Sequence, residues 1–199
     1  MIEVEKKFIL SEQDKKQLTK DAEFLSERVF SDIYYDTEKF LLTSQDKWLR
    51  SRDRVFELKL PLHNGVERLA DQYDELEDEQ KIRRALNLLP NKNLADDLIK
   101  AGYFPFCTCK TTRRKYKKGL FIIDLDIVDF QDFTYNIAEI ELLVSDKSEI
   151  ESAIEMIMDF AKSQNLTITP ARGKIIEYLK RAKPNHYQTL VKKKVVKDF

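Results

Sequence analysis

The chain predicts an α+β fold in which the strands close into a barrel and turn their charged faces inward. Three observations carry that prediction. Short segments alternating charged and apolar residues recur along the chain. On several of them like charges stand two apart, which puts them on one face of a strand. Amphipathic helical stretches are interleaved among these segments and can cover the opposite, apolar face. The 199 residues are 42% hydrophobic, with 12 Phe and 8 Tyr, enough for one sizeable core. Residues 1–199 therefore read as a single domain, with a short helical, basic tail from about 184.

The elements follow in order. Ile2 to Leu10 alternates and reads as a strand; Ser11 is an N-cap candidate for a helix running to about Glu27. Val29 to Asp36 is extended, and Trp48–Arg52 and Val55–Leu60 are short strands around a polar turn at Asp53-Arg54. His63-Asn64-Gly65 reads as a turn and Gln72–Leu76 as a further strand. Helices are expected over Glu77–Leu89, stopped by Pro90-Asn91, and over Leu94–Ala101, ended by Gly102. Phe106–Lys117 and Leu120–Val128 form a hairpin about Lys118-Gly119, and Asn136–Val144 is another strand. Asp146–Ser163 is amphipathic, Gly173–Ala182 is helical, and Pro184 opens the tail.

Counting removes several chemistries. The 35 basic and 35 acidic side chains cancel, so the chain is neither a basic nucleic-acid coat nor an acidic disordered tail. Two histidines, His63 and His186, exclude a histidine-rich zinc site, and four glycines cannot build a phosphate-binding glycine loop. Cys107 and Cys109, one residue apart, read as reduced structural thiols of a cytoplasmic protein. The first residues, Met1-Ile2-Glu3-Val4-Glu5, hold no apolar leader, and no run of about 18 apolar residues occurs, so neither secretion nor membrane insertion is expected. Lys192-Lys193-Lys194 reads as a solvated run, and no heptad or exposed apolar helix argues against a monomer.

The charged pairs are the informative feature. Glu3, Glu5 and Lys7 share a strand face, as do Arg50 with Arg52, Glu57 with Lys59, Arg113 with Lys115, Asp124 with Asp126, and Glu139 with Glu141. Any one pair is satisfied by facing solvent. Three strands with paired carboxylates are harder to dismiss, because two like charges ~4 Å apart repel by about 4 kcal/mol at an effective dielectric near 20. A hard divalent cation relieves that repulsion, since Mg²⁺ prefers carboxylate and water oxygens. A polyanion bound by the arginines and lysines, and bridged to the carboxylates through the cation, would satisfy both sets.

Glu3-Val4-Glu5-Lys6-Lys7 is an E-x-E-x-K motif. It is followed in order by Ile33-Tyr34-Tyr35-Asp36-Thr37, Trp48-Leu49-Arg50-Ser51-Arg52, Glu57-Leu58-Lys59, Tyr73-Asp74-Glu75-Leu76, Arg113 with Tyr116, Asp124-Leu125-Asp126, Glu139-Ile140-Glu141 and Lys174–Leu179. Over most of the chain this series resembles the CYTH family, the triphosphate tunnel metalloenzymes, and within it the animal branch that acts on thiamine triphosphate. The resemblance implies a closed eight-stranded antiparallel tunnel with a charged interior, flanked by helices. It also implies Mg²⁺-dependent hydrolysis, with Mn²⁺ as a substitute, of thiamine triphosphate to thiamine diphosphate and phosphate.

On that basis Glu3, Glu5, Asp124, Glu139 and Glu141 would bind metal, directly or through water. Lys7, Arg50, Arg52, Lys59, Arg113 and Lys174 would hold the triphosphate, with Glu139 also facing substrate. Lys59 and Tyr34 would stand near the attacking water. Trp48 shares its face with Arg50 and Arg52, and could stack on the thiazolium cation. Ile33 and Asp74 depart from that branch's pattern; a basic residue at 74 would have offered another anion contact. The alternatives are a tripolyphosphatase or other organic triphosphatase on the same tunnel, and a polyphosphate-binding module without turnover.

Overall fold

A computed structural model describes residues 2–62, 73–89 and 93–198. Eight strands form one antiparallel sheet: β1 (Ile2–Phe8), β2 (Glu23–Asp36), β3 (Trp48–Arg52), β4 (Val55–Pro61), β5 (Tyr73–Leu76), β6 (Phe104–Lys118), β7 (Phe121–Asp129) and β8 (Thr134–Val144). Their spatial order is β1-β8-β7-β6-β2-β3-β4-β5. Six helices accompany them among the described residues: α1 (Glu12–Thr19), α2 (Glu79–Ala85), α3 (Leu94–Lys100), α4 (Ile150–Ser163), α5 (Lys174–Ala182) and α6 (Pro184–Lys192).

The α+β class and the eight antiparallel strands match the expectation; the seam of the barrel differs from it. Among the described residues no ladder joins β1 to β5, so the sheet is curled rather than closed by hydrogen bonds. Its edges line one cavity, where Glu3 of β1 feels the charges of Glu75 and Lys59. Glu3 and Glu5 of β1 and Glu75 of β5 line that cavity, and like charges on two edges work against a backbone seam.

Three apolar clusters hold the curl from outside and from one end. The α4 face of Ile150, Ala153, Ile154, Ile157 and Ala161 packs on Val4, Phe8, Ile140 and Leu142, the outward residues of β1 and β8. Ile82 of α2 and Leu94 and Leu98 of α3 cover Leu49 and Leu58 of β3 and β4. Ile175 and Leu179 of α5, with Tyr187 and Leu190 of α6, pack with Tyr34, Trp48 and Ile137. The expected tail is therefore a helix with a buried face, begun by Pro184 at its first turn, while Lys192–Lys194 lies exposed as expected.

Helix α1 stops well short of Glu27. Ser11 caps it with the reciprocal Ser11–Asp14 bonds at 3.1 and 3.0 Å, but the chain turns at Asp21 (φ 58°) and enters β2 at Glu23. Cross-strand partners decide this: Phe24 meets the Tyr116 ring edge-on and Glu27 pairs with Arg114 on β6. The β6–β7 hairpin turns at Gly119 (φ 61°), and Gly102 (φ 85°) ends α3. The predicted His63-Asn64-Gly65 turn, Gln72, and the Pro90-Asn91 stop lie outside the described residues.

Candidate functional site

Alternation along the curled strands aims one row of side chains from every strand into a cavity of about 700 Å³. Antiparallel register then sets neighbours opposite one another: Glu5 with Glu141, Lys7 with Glu139, Asp124 with Glu139 and Lys115, Asp126 with Arg113. The same holds on the other side, where Asp32 faces Arg52, Tyr34 faces Arg50, Arg50 faces Glu57 and Lys59 faces Trp48 and Glu75.

The wall built by β1, β6, β7 and β8 is acidic. Arg113 forks onto Asp126 with two bonds of 2.7 Å, reaches Glu139 at 2.8 Å and also pairs with Asp124. Lys115 bridges Asp124 at 2.9 Å and Glu141 at 3.3 Å, and Lys7 pairs with Glu5. These cations leave carboxylate charge over. Burial, then Asp124 and Glu3, push the Glu141 carboxyl up to about 8 against the pull of Lys115. Burial, then Glu5 and Glu75, raise Glu3 as well. Carboxylate oxygens of Glu3, Glu5 and Glu141 lie within 4.8 Å of one another, as do those of Asp124, Glu139 and Glu141. An all-oxygen, anionic donor set of this kind suits a hard divalent cation, and Glu141 belongs to both groups.

The opposite wall is basic and aromatic. Arg52 binds Asp32 in a fork, Nε to Oδ1 at 2.8 Å and Nη2 to Oδ2 at 3.2 Å. Lys174, the first residue of α5, reaches the same carboxylate and donates to Thr111 Oγ1 at 3.2 Å. Burial would raise the Asp32 carboxyl, but the Arg52 bond and the Lys174 charge outweigh it and hold it at about 2. Arg50 donates to Glu57 at 2.9 Å, and Lys59 pairs with Glu75. At one end the Trp48 indole N–H and the Tyr73 hydroxyl both donate to Asp46 Oδ1 at 2.8 Å. Tyr34 is buried beside Arg50, and burial pushes its phenol far up, so it stays protonated.

Twelve of the thirteen residues singled out from the sequence line this cavity: Glu3, Glu5, Lys7, Tyr34, Trp48, Arg50, Arg52, Lys59, Arg113, Glu139, Glu141 and Lys174. Asp124 stands just behind the lining, fully buried under Arg113 and Lys115. Asp74, in contrast, alternates with the cavity-lining Tyr73 and Glu75 and is exposed, so that departure leaves the site unaltered. Sequence reasoning missed Asp32, Asp46, Tyr73 and Glu75 as site residues. The first was findable, two positions before Tyr34 on one strand; Asp46 was not, because a left-handed residue (φ 58°) after a 3₁₀ turn aims it inward. His186 is buried on α6, bonded to Thr43 Oγ1 at 2.6 Å and stacked on Phe40, outside the cavity lining.

The model of the CYTH domain matches residues 1–167. The chain belongs to the CYTH family. It is 32% identical to the thiamine-triphosphatase of Homo sapiens over 207 residues, spanning 96% of this chain and 90% of that protein. The Macaca fascicularis thiamine-triphosphatase matches at the same identity over 206 residues, with the same shares of each chain. Among solved structures, the PH1819 protein of Pyrococcus horikoshii OT3 superposes with a TM-score of 0.66 at 20% identity, covering 90% of this chain and 99% of that one. HpAC1 from Hippeastrum, described as having a dominant triphosphatase activity, superposes with a TM-score of 0.59 at 15% identity over 92% and 97% of the two chains. These two likenesses show that the fold of the curled sheet is shared with solved proteins. No helix among the described residues is long and apolar enough to cross a membrane.

Proposed function

We propose that this CYTH protein hydrolyses thiamine triphosphate to thiamine diphosphate and inorganic phosphate with the help of a divalent cation, Mg²⁺ by preference and Mn²⁺ as a substitute. The observation that carries the reading is one cavity with an acidic wall opposite a basic one, in a chain 32% identical to the thiamine-triphosphatases of Homo sapiens and Macaca fascicularis. Glu3, Glu5, Asp124, Glu139 and Glu141 would hold the cation. When bound, it would neutralise charge on the phosphate oxygens and orient the reacting group.

The chain's own side chains supply the rest. Arg50, Arg52, Lys59, Lys174, Lys7 and Arg113 exchange their carboxylate partners for phosphate oxygens, with the planar arginine forks fixing the register of the triphosphate. Trp48, held edge-on by Asp46, offers its ring to the thiazolium cation, and the Asp46 charge reinforces that preference. Water then attacks the terminal phosphorus in line, and the bond from that phosphorus to the bridging oxygen breaks. The bridging oxygen leaves with thiamine diphosphate, and the water oxygen and its protons leave with the phosphate. Lys59, ion-paired to Glu75, acts as an ammonium that stabilises charge, and the protonated Tyr34 contributes a hydrogen bond. The free, buried thiols of Cys107 and Cys109 suit a reducing compartment and hence the cytoplasm.

A phosphate-release panel of thiamine triphosphate, tripolyphosphate and ATP, with and without Mg²⁺, tests the proposal. The expected result is Mg²⁺-dependent turnover with the highest kcat/KM on thiamine triphosphate. A far higher kcat/KM on tripolyphosphate would overturn the substrate, and triphosphate binding without any phosphate release would overturn the enzyme.

A further inference from the structure

Among the described residues, every buried apolar side chain but one belongs to one of the three apolar clusters. The exception is Phe30, 6% exposed, on the inward face of β2 two residues before Asp32 and opposite Thr111 of β6. Its surroundings are cations. The Arg52 guanidinium carbon lies 4.2 Å from the ring centroid, the Lys174 ammonium 5.1 Å and the Arg113 guanidinium carbon 5.9 Å. All three line the cavity, and Phe30 does not; it lies beneath them.

The three arise from different elements, β3, α5 and β6, and no ladder pairs these elements directly with one another. Asp32 ties Arg52 to Lys174, whereas Arg113 is tied to the acidic wall through Asp126 and Glu139. The Phe30 ring lies within contact range of all three. An aromatic face carries negative potential at its centre, so it attracts cations without neutralising them. A carboxylate in the same place would compete with an incoming anion and would have to be displaced. A ring keeps the cations gathered without itself taking up the N–H groups that phosphate oxygens need.

We propose that Phe30 is a positioning residue, an aromatic platform that gathers Arg52, Arg113 and Lys174 into one anion-binding surface before substrate arrives. The inference rests on the reading of the cavity as a triphosphate site. Its action is on binding, felt equally by the ground state and the transition state, so its loss raises KM and spares kcat.

The test replaces Phe30 with 4-fluoro-, 3,5-difluoro- and 3,4,5-trifluorophenylalanine at that position alone, a series that drains the ring face of charge while keeping its shape. Tripolyphosphate Kd is measured by calorimetry without divalent cation, beside the Tm of each protein and KM and kcat with Mg²⁺. Kd and KM should climb stepwise with fluorine number, with kcat within about twofold and Tm level. Phe30→Leu, apolar without a ring, should weaken binding roughly tenfold, the size expected of partly desolvated cation–π contacts. A wild type that binds tripolyphosphate, with a Kd flat across the series, would overturn the platform and leave the triphosphate reading standing. A wild type that binds no tripolyphosphate would overturn both.

Discussion

The two walls of the cavity are made of the same residue types and differ in their balance of charge. On β1, β6, β7 and β8, six carboxylates (Glu3, Glu5, Asp124, Asp126, Glu139 and Glu141) share three cations, Lys7, Arg113 and Lys115. Across the cavity Arg50, Arg52, Lys59 and Lys174 outnumber the carboxylates that pair with them, Asp32, Glu57 and Glu75. The imbalance shows in the carboxyl groups themselves. Burial drives Glu141 up to about 8, while Asp32, also buried, is held near 2 by Arg52 and Lys174. Burial alone therefore does not set a carboxylate's chemistry; the ratio of charges around it does. One wall is short of positive charge and suits a metal ion, and the other has donors to lend to an anion.

The sharpest way to break the comparison is to remove a carboxylate from the acidic wall. Glu141→Gln should lower kcat/KM by about 10³ with little loss of metal-free tripolyphosphate affinity, because the oxygen it removes would serve the proposed cation. Phosphate-release kinetics beside calorimetry check both halves. On the basic wall the order reverses: Arg52→Lys keeps the charge but loses the fork on Asp32, and should raise the tripolyphosphate Kd by about tenfold.

Trp48→Ala separates the end of the basic wall from its middle. KM for thiamine triphosphate should rise by roughly tenfold while KM for tripolyphosphate stays level, since only the former carries a cation to stack. Equal losses on the two substrates would contradict the stacking role.

The walls should also answer pH in opposite senses. Glu141 in the metal-free fold keeps a proton that the unfolded chain, titrating near 4.5, has already lost. Stability should therefore fall as pH rises from about 4.5 to about 8, by at most about tenfold in the unfolding constant per pH unit. Asp32, lowered from 3.8 to about 2, contributes stability that is present above 3.8 and is lost as pH falls toward 2. Urea unfolding of the metal-free protein across that range, repeated on Glu141→Gln, should show the high-pH slope flatten in the variant and the low-pH loss persist.

Much of this arrangement was legible from the chain because strand alternation is a strict geometric rule. Once Glu3, Glu5, Arg50, Arg52, Glu139 and Glu141 are placed on strands, their pairwise facing follows. What the alternation did not disclose is pairing between distant segments. The segment from Glu23 to Glu27 reads as the end of a helix by itself and is extended because β6 supplies its partners. Asp46 reaches the cavity through a left-handed backbone that no local pattern announces. The open gap between β1 and β5 goes with like charges that share one cavity only when the sheet curls. Phe30 reads as ordinary core until the three cations from separate elements are seen above it.

The claim on which the rest depends is that the acidic wall is completed by a divalent cation that displaces a proton from Glu141. Calorimetric titration of Mg²⁺ into the protein at pH 7, in two buffers of different ionisation enthalpy, measures this directly. The account predicts binding with net proton release, and a smaller release in Glu141→Gln. Absence of Mg²⁺ binding, or binding that releases no proton and is unchanged in the variant, would contradict it.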